Sequence, residues 1–139
     1  NTQCWRFIVV RDRGTKSKLV EILISLNPAR SAVGEAPVLI VVCAELGKSG
    51  FHEGRPVTDK GEWWYMFDTA LAAHNLTLAA HSLGLGTVHI GGFDAKKAAS
   101  ILGLPENIAV VELMPLGYPA GEAKTPMRKE VSEFVWFID

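Results

Sequence analysis

Val38-Leu39-Ile40-Val41-Val42-Cys43-Ala44 is the stretch that decides the fold. It is β-branched and nearly uniform in apolar character, and it reads as a strand of a covered sheet. Upstream, Phe7-Ile8-Val9-Val10 is a second continuous apolar run, so a strand is expected over residues 6–11, again interior and covered on both faces. Downstream, residues 108–114 read as another strand. Helices fall between these runs. Leu19, Ile22, Leu23 and Leu26 recur as on a helix stripe, after a turn at Asp12-Arg13-Gly14-Thr15 and before Asn27-Pro28, which ends the helix or begins a loop. A long helix is expected over residues 62–83. Phe67, Leu71, Leu78 and His81, with Ala70, Ala73 and Ala80 among them, make it apolar on more than one side, hence buried. Gly84 stands at its C-terminal cap. Residues 87–90 form a short extended segment, and Asp94 caps a short helix through Ile101 and Leu102. Residues 45–60 and 115–126 read as loops. The tail over residues 131–139 contains Phe134-Val135-Trp136-Phe137-Ile138, and something should cover it, such as a partner subunit's sheet to which it adds a strand. The fold class is therefore a mixed α/β (α+β) sandwich, a central sheet with helices on both faces.

Bulk properties narrow the function. A chain of 139 residues suits one domain, and 48% hydrophobic residues can build its core. Fourteen basic against fifteen acidic residues give a formal charge of -1, with the basic residues dispersed, which argues against nucleic-acid binding. No apolar stretch reaches the ~18 residues that span a bilayer. No signal peptide is visible, so the default expectation is a cytoplasmic protein without a membrane partner. Two cysteines make no disulfide framework, and Cys43 reads as a small buried hydrophobe.

The chemistry is concentrated in Gly84-Leu85-Gly86-Thr87-Val88-His89-Ile90-Gly91-Gly92. Glycines let backbone approach a ligand closely, and their N–H groups suit the ring nitrogens of a flat cofactor. A helix cap followed by a tight turn explains the same residues. The pattern follows a helix, so it is not a dinucleotide fingerprint. Leu46-Gly47-Lys48-Ser49 resembles the end of a phosphate loop, but Val42 occupies the place of the first glycine and the motif fails. Asn1 and Gln3 offer amides that suit a cofactor edge, or else form a frayed terminus. Asn27 and Arg30 are placed to grip a carbonyl and stabilise negative charge on it; a helix end and a solvated cation fit equally. Lys124 and Arg128 form a basic pair suited to a phosphate or simply to solvent. His52, His74, His81 and His89 lack metal-site spacing, and no metal is expected. No catalytic triad stands out. That absence favours a protein that positions a cofactor and leaves the chemistry to it.

These residues together resemble one family. Asn1-Thr2-Gln3-Cys4-Trp5-Arg6-Phe7-Ile8-Val9-Val10 resembles the Asn-x-Gln-Pro-Trp-x-Phe strand entry of the nitroreductase family. The stretch from His74 through Gly84-Leu85-Gly86-Thr87 is similar to its central helix and glycine turn. Val88-His89-Ile90-Gly91-Gly92-Phe93-Asp94 continues that similarity, and Leu113-Met114-Pro115-Leu116-Gly117-Tyr118-Pro119 resembles the strand and loop that follow. The resemblance spans nearly the whole chain and implies a nitroreductase-like sandwich with a mostly antiparallel sheet. It implies a homodimer with FMN at the subunit interface. Hydride from NAD(P)H passes through the flavin N5 to a nitroaromatic, quinone or similar small-molecule acceptor in a ping-pong mechanism. A flavin-binding or storage module without efficient acceptor turnover is the alternative.

The resemblance also implies roles. Asn1 and Gln3 contact the flavin, Asn27 meets its pyrimidine edge, and Arg30 approaches N1 and O2. The Gly91 N–H faces N5, with His89, Ile90 and Gly92 in the same turn, and Lys124 and Arg128 reach the phosphate. No side chain acts as the catalyst; Arg30 and the Gly91 backbone give electrostatic support. Two departures are visible. Cys4 replaces the usual proline. The family's N-terminal helix, with its arginine-serine-arginine element and Pro-Ser turn, has no counterpart ahead of Asn1, so residues 1–139 read as an N-terminally incomplete domain. The segment over residues 45–60 is short for the family's lid, which implies an open acceptor side shaped in part by Trp63 and Trp64.

Overall fold

The computed structural model describes residues 1–138. Strands β1 (Trp5–Val10), β2 (Val38–Glu45), β5 (Gly86–Thr87) and β6 (Ile108–Gly117) form one sheet in the order β1-β2-β6-β5, with every neighbouring pair antiparallel. A small separate hairpin joins β3 (Phe51–His52) to β4 (Arg55–Pro56). Helices α1 (Arg13–Glu21), α2 (Arg30–Glu35) and α4 (Ala95–Leu102) cover one face of the sheet, and α3 (Trp64–Ser82) crosses the other.

β2 is the centre of this arrangement. Alternation sends Leu39, Val41 and Cys43 into the core under α1, α2 and α4, and Ile40 and Val42 into the core under α3. Both faces are covered, which is why the strand is uniformly apolar. A bulge opposite Val42 and Cys43 leaves Val111 of β6 unpaired.

The expectation for β1 needs correction. Among the described residues it is the edge strand of the sheet, and Phe7 (39% exposed) and Val9 (54% exposed) pair with Val42 and Ile40 on the α3 face, where α3 leaves them partly uncovered. A continuous apolar run records that both faces are suited to cover. It does not record whether this chain supplies both covers. The same applies to α3. It buries Thr69, Ala73 and Ala80 but exposes Phe67, Leu71 and Leu78, so it is apolar all round yet covered on one side.

Local signals were otherwise informative, with two misreadings. Asp12-Arg13-Gly14-Thr15 is not a free turn but the start of α1. The Asp12 carboxylate accepts the Thr15 N–H at 2.7 Å and its hydroxyl at 2.9 Å, bonds that hold the Asp12 pKa below its ordinary value. The stripe at Ile22, Leu23 and Leu26 lies beyond the helix end at Glu21. α2 had no periodic signal and is a short insertion held by buried Val33. The buried Lys16 ammonium donates to the Ala36 carbonyl at its C-terminus. Gly84 at φ 73° ends α3 as expected, with Gly84 N–H bonded to His81 and Leu85 N–H to Ala80. Asp94 caps α4 through the Lys97 N–H at 3.0 Å.

Pro115 was expected to open a loop and instead lies inside β6, opposite Leu39. The β5 ladder pairs Gly86 with Gly117 and Thr87 with Leu116, then stops one residue short of the proline. It resumes in the same register as a single bridge between Ile90 and Leu113. A proline has no N–H for a ladder, so the break falls beside it. The expected extended segment over residues 87–90 is thus split into a two-residue strand and a bridge. Residues 118–130 have no regular structure, and one 3₁₀ turn, Val131–Glu133, follows. Trp136 and Phe137 stand 81% and 86% exposed. Asp139, the last residue of the expected tail, lies outside the described residues.

Two outcomes follow from this packing. Gly50 and Gly54 share a left-handed φ of 75°, but a Cβ on Gly50 meets the Trp64 ring at 2.5 Å, whereas one on Gly54 meets nothing within 4 Å. Gly54→Ala should cost ~1–2 kcal/mol for the backbone alone, and Gly50→Ala a further ~1–3 kcal/mol of overpacking, read from urea midpoints. Both thiols are buried, and burial pushes Cys43 up to about 11 and raises Cys4, helped there by the Asp68 charge. Neither should react with a thiol reagent at pH 8 until the chain is unfolded. From the unfolded thiol value near 9.0 to about 11, the unfolded state ionises first, so stability should fall across that window.

Candidate functional site

The loop between α1 and α2 and the glycine turn after β5 are far apart in sequence and adjacent in space. Ile24 N–H donates to the Gly92 carbonyl at 2.9 Å, Asp94 N–H donates to the Ile22 carbonyl at 3.1 Å, and Leu23 bridges Phe93. This miniature antiparallel contact encloses a groove of about 400 Å3, with Ile24, Leu26 and Asn27 on one wall and residues 88–92 on the other.

The groove carries open donors. Asn27 spends its side-chain oxygen on the Ala29 N–H at 2.9 Å, an Asx turn that leaves Nδ2 as its open polar atom. The N–H groups of Gly91 and Gly92 make no hydrogen bond among the described residues. A Cβ built on Gly91 meets nothing within 4 Å, so open space lies beside it. One on Gly92 would stand 3.0 Å from the Ile24 side chain and 3.5 Å from Asn27 Nδ2. The two walls thus pack closely at Gly92, where a Cβ would make the Ile24 side chain shift, and leave room at Gly91. Ile90 is buried in the core, its N–H and C=O both exchanged with Leu113 at 3.0 Å. His89 contributes backbone to the wall, because its ring is occupied: Nδ1 is 2.9 Å from Glu112 Oε2 and Nε2 is 3.0 Å from Thr77 Oγ1.

Asn27, His89, Ile90, Gly91 and Gly92 are therefore brought together. Arg30 is near but engaged. It begins α2, its N–H reaches the Asn27 carbonyl at 3.3 Å, and its guanidinium donates to the Leu23 carbonyl at 3.1 Å. Asn1 belongs to a different, larger groove of about 650 Å3, with Trp5, Phe7, Asp68, Leu71 and Asn75 in its walls. Gln3 lies next to it with φ 48°, its carbonyl accepting from Arg6 at 2.9 Å. Lys124 and Arg128 stand exposed on the C-terminal segment and line neither groove. Several participants had escaped the sequence reading. Ile24 props the glycine turn, Ser49 donates to Asp68 at 2.6 Å, and Thr77 and Glu112 hold His89. Glu112 did carry a signal, since it is the one charge within the apolar strand Ile108–Gly117.

No helix among the described residues is long and apolar enough to cross a membrane, and no group of three or more His, Cys, Asp or Glu is placed to hold a metal ion.

Comparison with known proteins fits this geometry. The nitroreductase family model matches residues 1–118. An NADH dehydrogenase of Thermus thermophilus is 32% identical over 146 aligned positions, covering 88% of this chain and 69% of that protein. Relatives from Methanothermobacter thermautotrophicus and Archaeoglobus fulgidus are 33% and 36% identical and cover 84% and 88% of this chain. The match spans 56% and 65% of their own lengths. Among solved structures, a nitroreductase family protein of Clostridium novyi NT superposes with a TM-score of 0.74 at 31% identity, over 86% of this chain and 64% of that one. The antiparallel sheet with helices on both faces is the fold of these proteins. The chain belongs to the nitroreductase family.

Proposed function

We propose that residues 1–139 form one flavin-binding domain of an FMN-dependent NAD(P)H oxidoreductase. The observation that carries this reading is the convergence of Asn27 with residues 88–92 on one groove that presents the Asn27 amide and the unspent N–H groups of Gly91 and Gly92, beside a glycine with free space around it. A flat ring system with acceptors on its edge fits such a wall. FMN, when bound, supplies hydride transfer from NAD(P)H to a small-molecule acceptor such as a nitroaromatic or quinone, the two substrates taking turns. On this reading the chain's own residues bind and orient. Asn27 Nδ2 and the Gly91 N–H hold the ring edge, and Gly92 keeps the two walls in contact. Arg30, close by, stabilises negative charge.

A homodimer is part of the proposal. Asn1 lines another groove of the same chain, with Gln3 two residues on, so a second copy is what would bring them to the flavin. The uncovered faces of α3 and β1, with Phe67, Leu71, Phe7 and Val9, and the exposed Trp136 and Phe137 are apolar surface of the kind that subunit interfaces cover. Lys124 and Arg128 on the C-terminal segment are the cations available to a phosphate.

The purified chain reconstituted with FMN should be yellow, bleach anaerobically with NADH or NADPH, and recolour on adding a quinone. Flavin uptake with reoxidation no faster than that of free reduced FMN would support a storage module instead. Gly91→Val separates binding from folding, since a Cβ at this position meets no protein atom within 4 Å. It should keep the wild-type urea midpoint and lose at least about tenfold in FMN affinity, a scale of ~1.4 kcal/mol. Unchanged affinity by fluorescence titration would remove this turn from the site.

A further inference from the structure

The glycine turn is held where main-chain pairing fails. Val88 and His89 lie opposite Pro115 and Met114, in the gap between the β5 ladder and the Ile90–Leu113 bridge, and neither makes a backbone hydrogen bond among the described residues. The His89 side chain spans this gap. Its Nδ1 lies 2.9 Å from Glu112 on β6, and its Nε2 lies 3.0 Å from Thr77 on α3. A carboxylate only accepts, so Nδ1 carries its hydrogen toward Glu112. The Thr77 hydroxyl has one hydrogen: given to the Ala73 carbonyl at 3.1 Å, it leaves the oxygen to accept at Nε2, and given to Nε2, it gives up the Ala73 bond.

Glu112 explains why the clamp is there. Its side chain is 15% exposed, and it sits opposite Val42 on the sheet face formed by Ile40, Val42 and Met114. A carboxylate in that place requires a donor, and the His89 ring is the one hydrogen-bonded to it. Two residues on, Gly91 faces open space with its N–H unspent. We infer that His89 is a positioning residue: its ring, gripped by Glu112 and Thr77, fixes where the Gly91 N–H stands at the groove. The inference rests on the reading of that groove as the flavin site.

The test compares His89→Leu, which loses both contacts, with His89→Asn, which keeps a donor at the Nδ1 position, in the full chain. Amide hydrogen exchange at Ile90 and Leu113 is measured without FMN, and FMN affinity by fluorescence titration. His89→Leu should speed exchange at both bridge amides while those of β2 stay protected, and weaken FMN about tenfold. His89→Asn should restore most of the affinity, which a role in bulk packing would not produce. Wild-type affinity in His89→Leu, or equal losses in both variants, overturns the inference. If His89→Leu does not fold, Thr77→Val removes one contact and should give a smaller loss of affinity in the same direction; no loss overturns the inference. A wild-type chain that takes up no FMN defeats the proposed function instead. The exchange data then decide the clamp by themselves, unchanged exchange at Ile90 and Leu113 overturning it.

Discussion

Ile90 and Leu113 exchange two backbone hydrogen bonds of 3.0 Å, and the candidate site is built outward from that pair. Ile90 is buried, so the bridge is shielded from water and anchored in the core under α1, α2 and α4. With Ile90 fixed, Gly91 and Gly92 must leave the sheet at a set height. They meet the loop that follows α1 through the Ile24–Gly92 bond and the Leu23–Phe93 bridge. Both walls of the groove thus hang on one interaction in the middle of β6. Backbone groups placed by buried hydrogen bonds move little, which suits a surface that must present N–H donors at fixed positions.

Pro115 gives this arrangement its character. A continuous β5–β6 ladder would spend the main-chain groups of Val88 on β6, since Val88 and Ile90 occupy the hydrogen-bonding positions, and make the segment an ordinary strand. The proline interrupts the ladder, and the segment is held by a bridge and by a histidine side chain instead. The outcome is a stretch that follows strand register without being paired like a strand. Glu112 and Thr77 belong to the same device, one from the sheet and one from α3, so both layers of the sandwich reach the glycine turn.

The exposed apolar surface is the other consequence of the architecture. β1 and α3 are as apolar as interior elements, and each has one face without cover in the single chain. Sequence composition reported the burial these residues are suited to, and the single chain covers one face of each element. Phe7 and Leu71 border the same groove as Asn1, which joins the uncovered surface to one of the two places where flavin-binding residues were expected.

Much of the fold could be read from local patterns. β2 announced itself by a uniform β-branched run, Gly84 and Asp94 marked helix ends through backbone conformation and capping, and the glycine-rich turn pointed to the groove. These are properties of neighbouring residues, and neighbouring residues suffice to express them. The sequence alone also determined the family, because four motifs occur in order. What the tertiary structure decided depends on partners distant along the chain. Ile24 meets Gly92, Glu112 holds His89, Pro115 breaks a ladder from inside a strand it was expected to follow, and Asn1 stands apart from Asn27. Each pairing is set by how the sheet registers and how the helices lie on it, and no spacing in one segment encodes a contact whose other half is elsewhere in the chain.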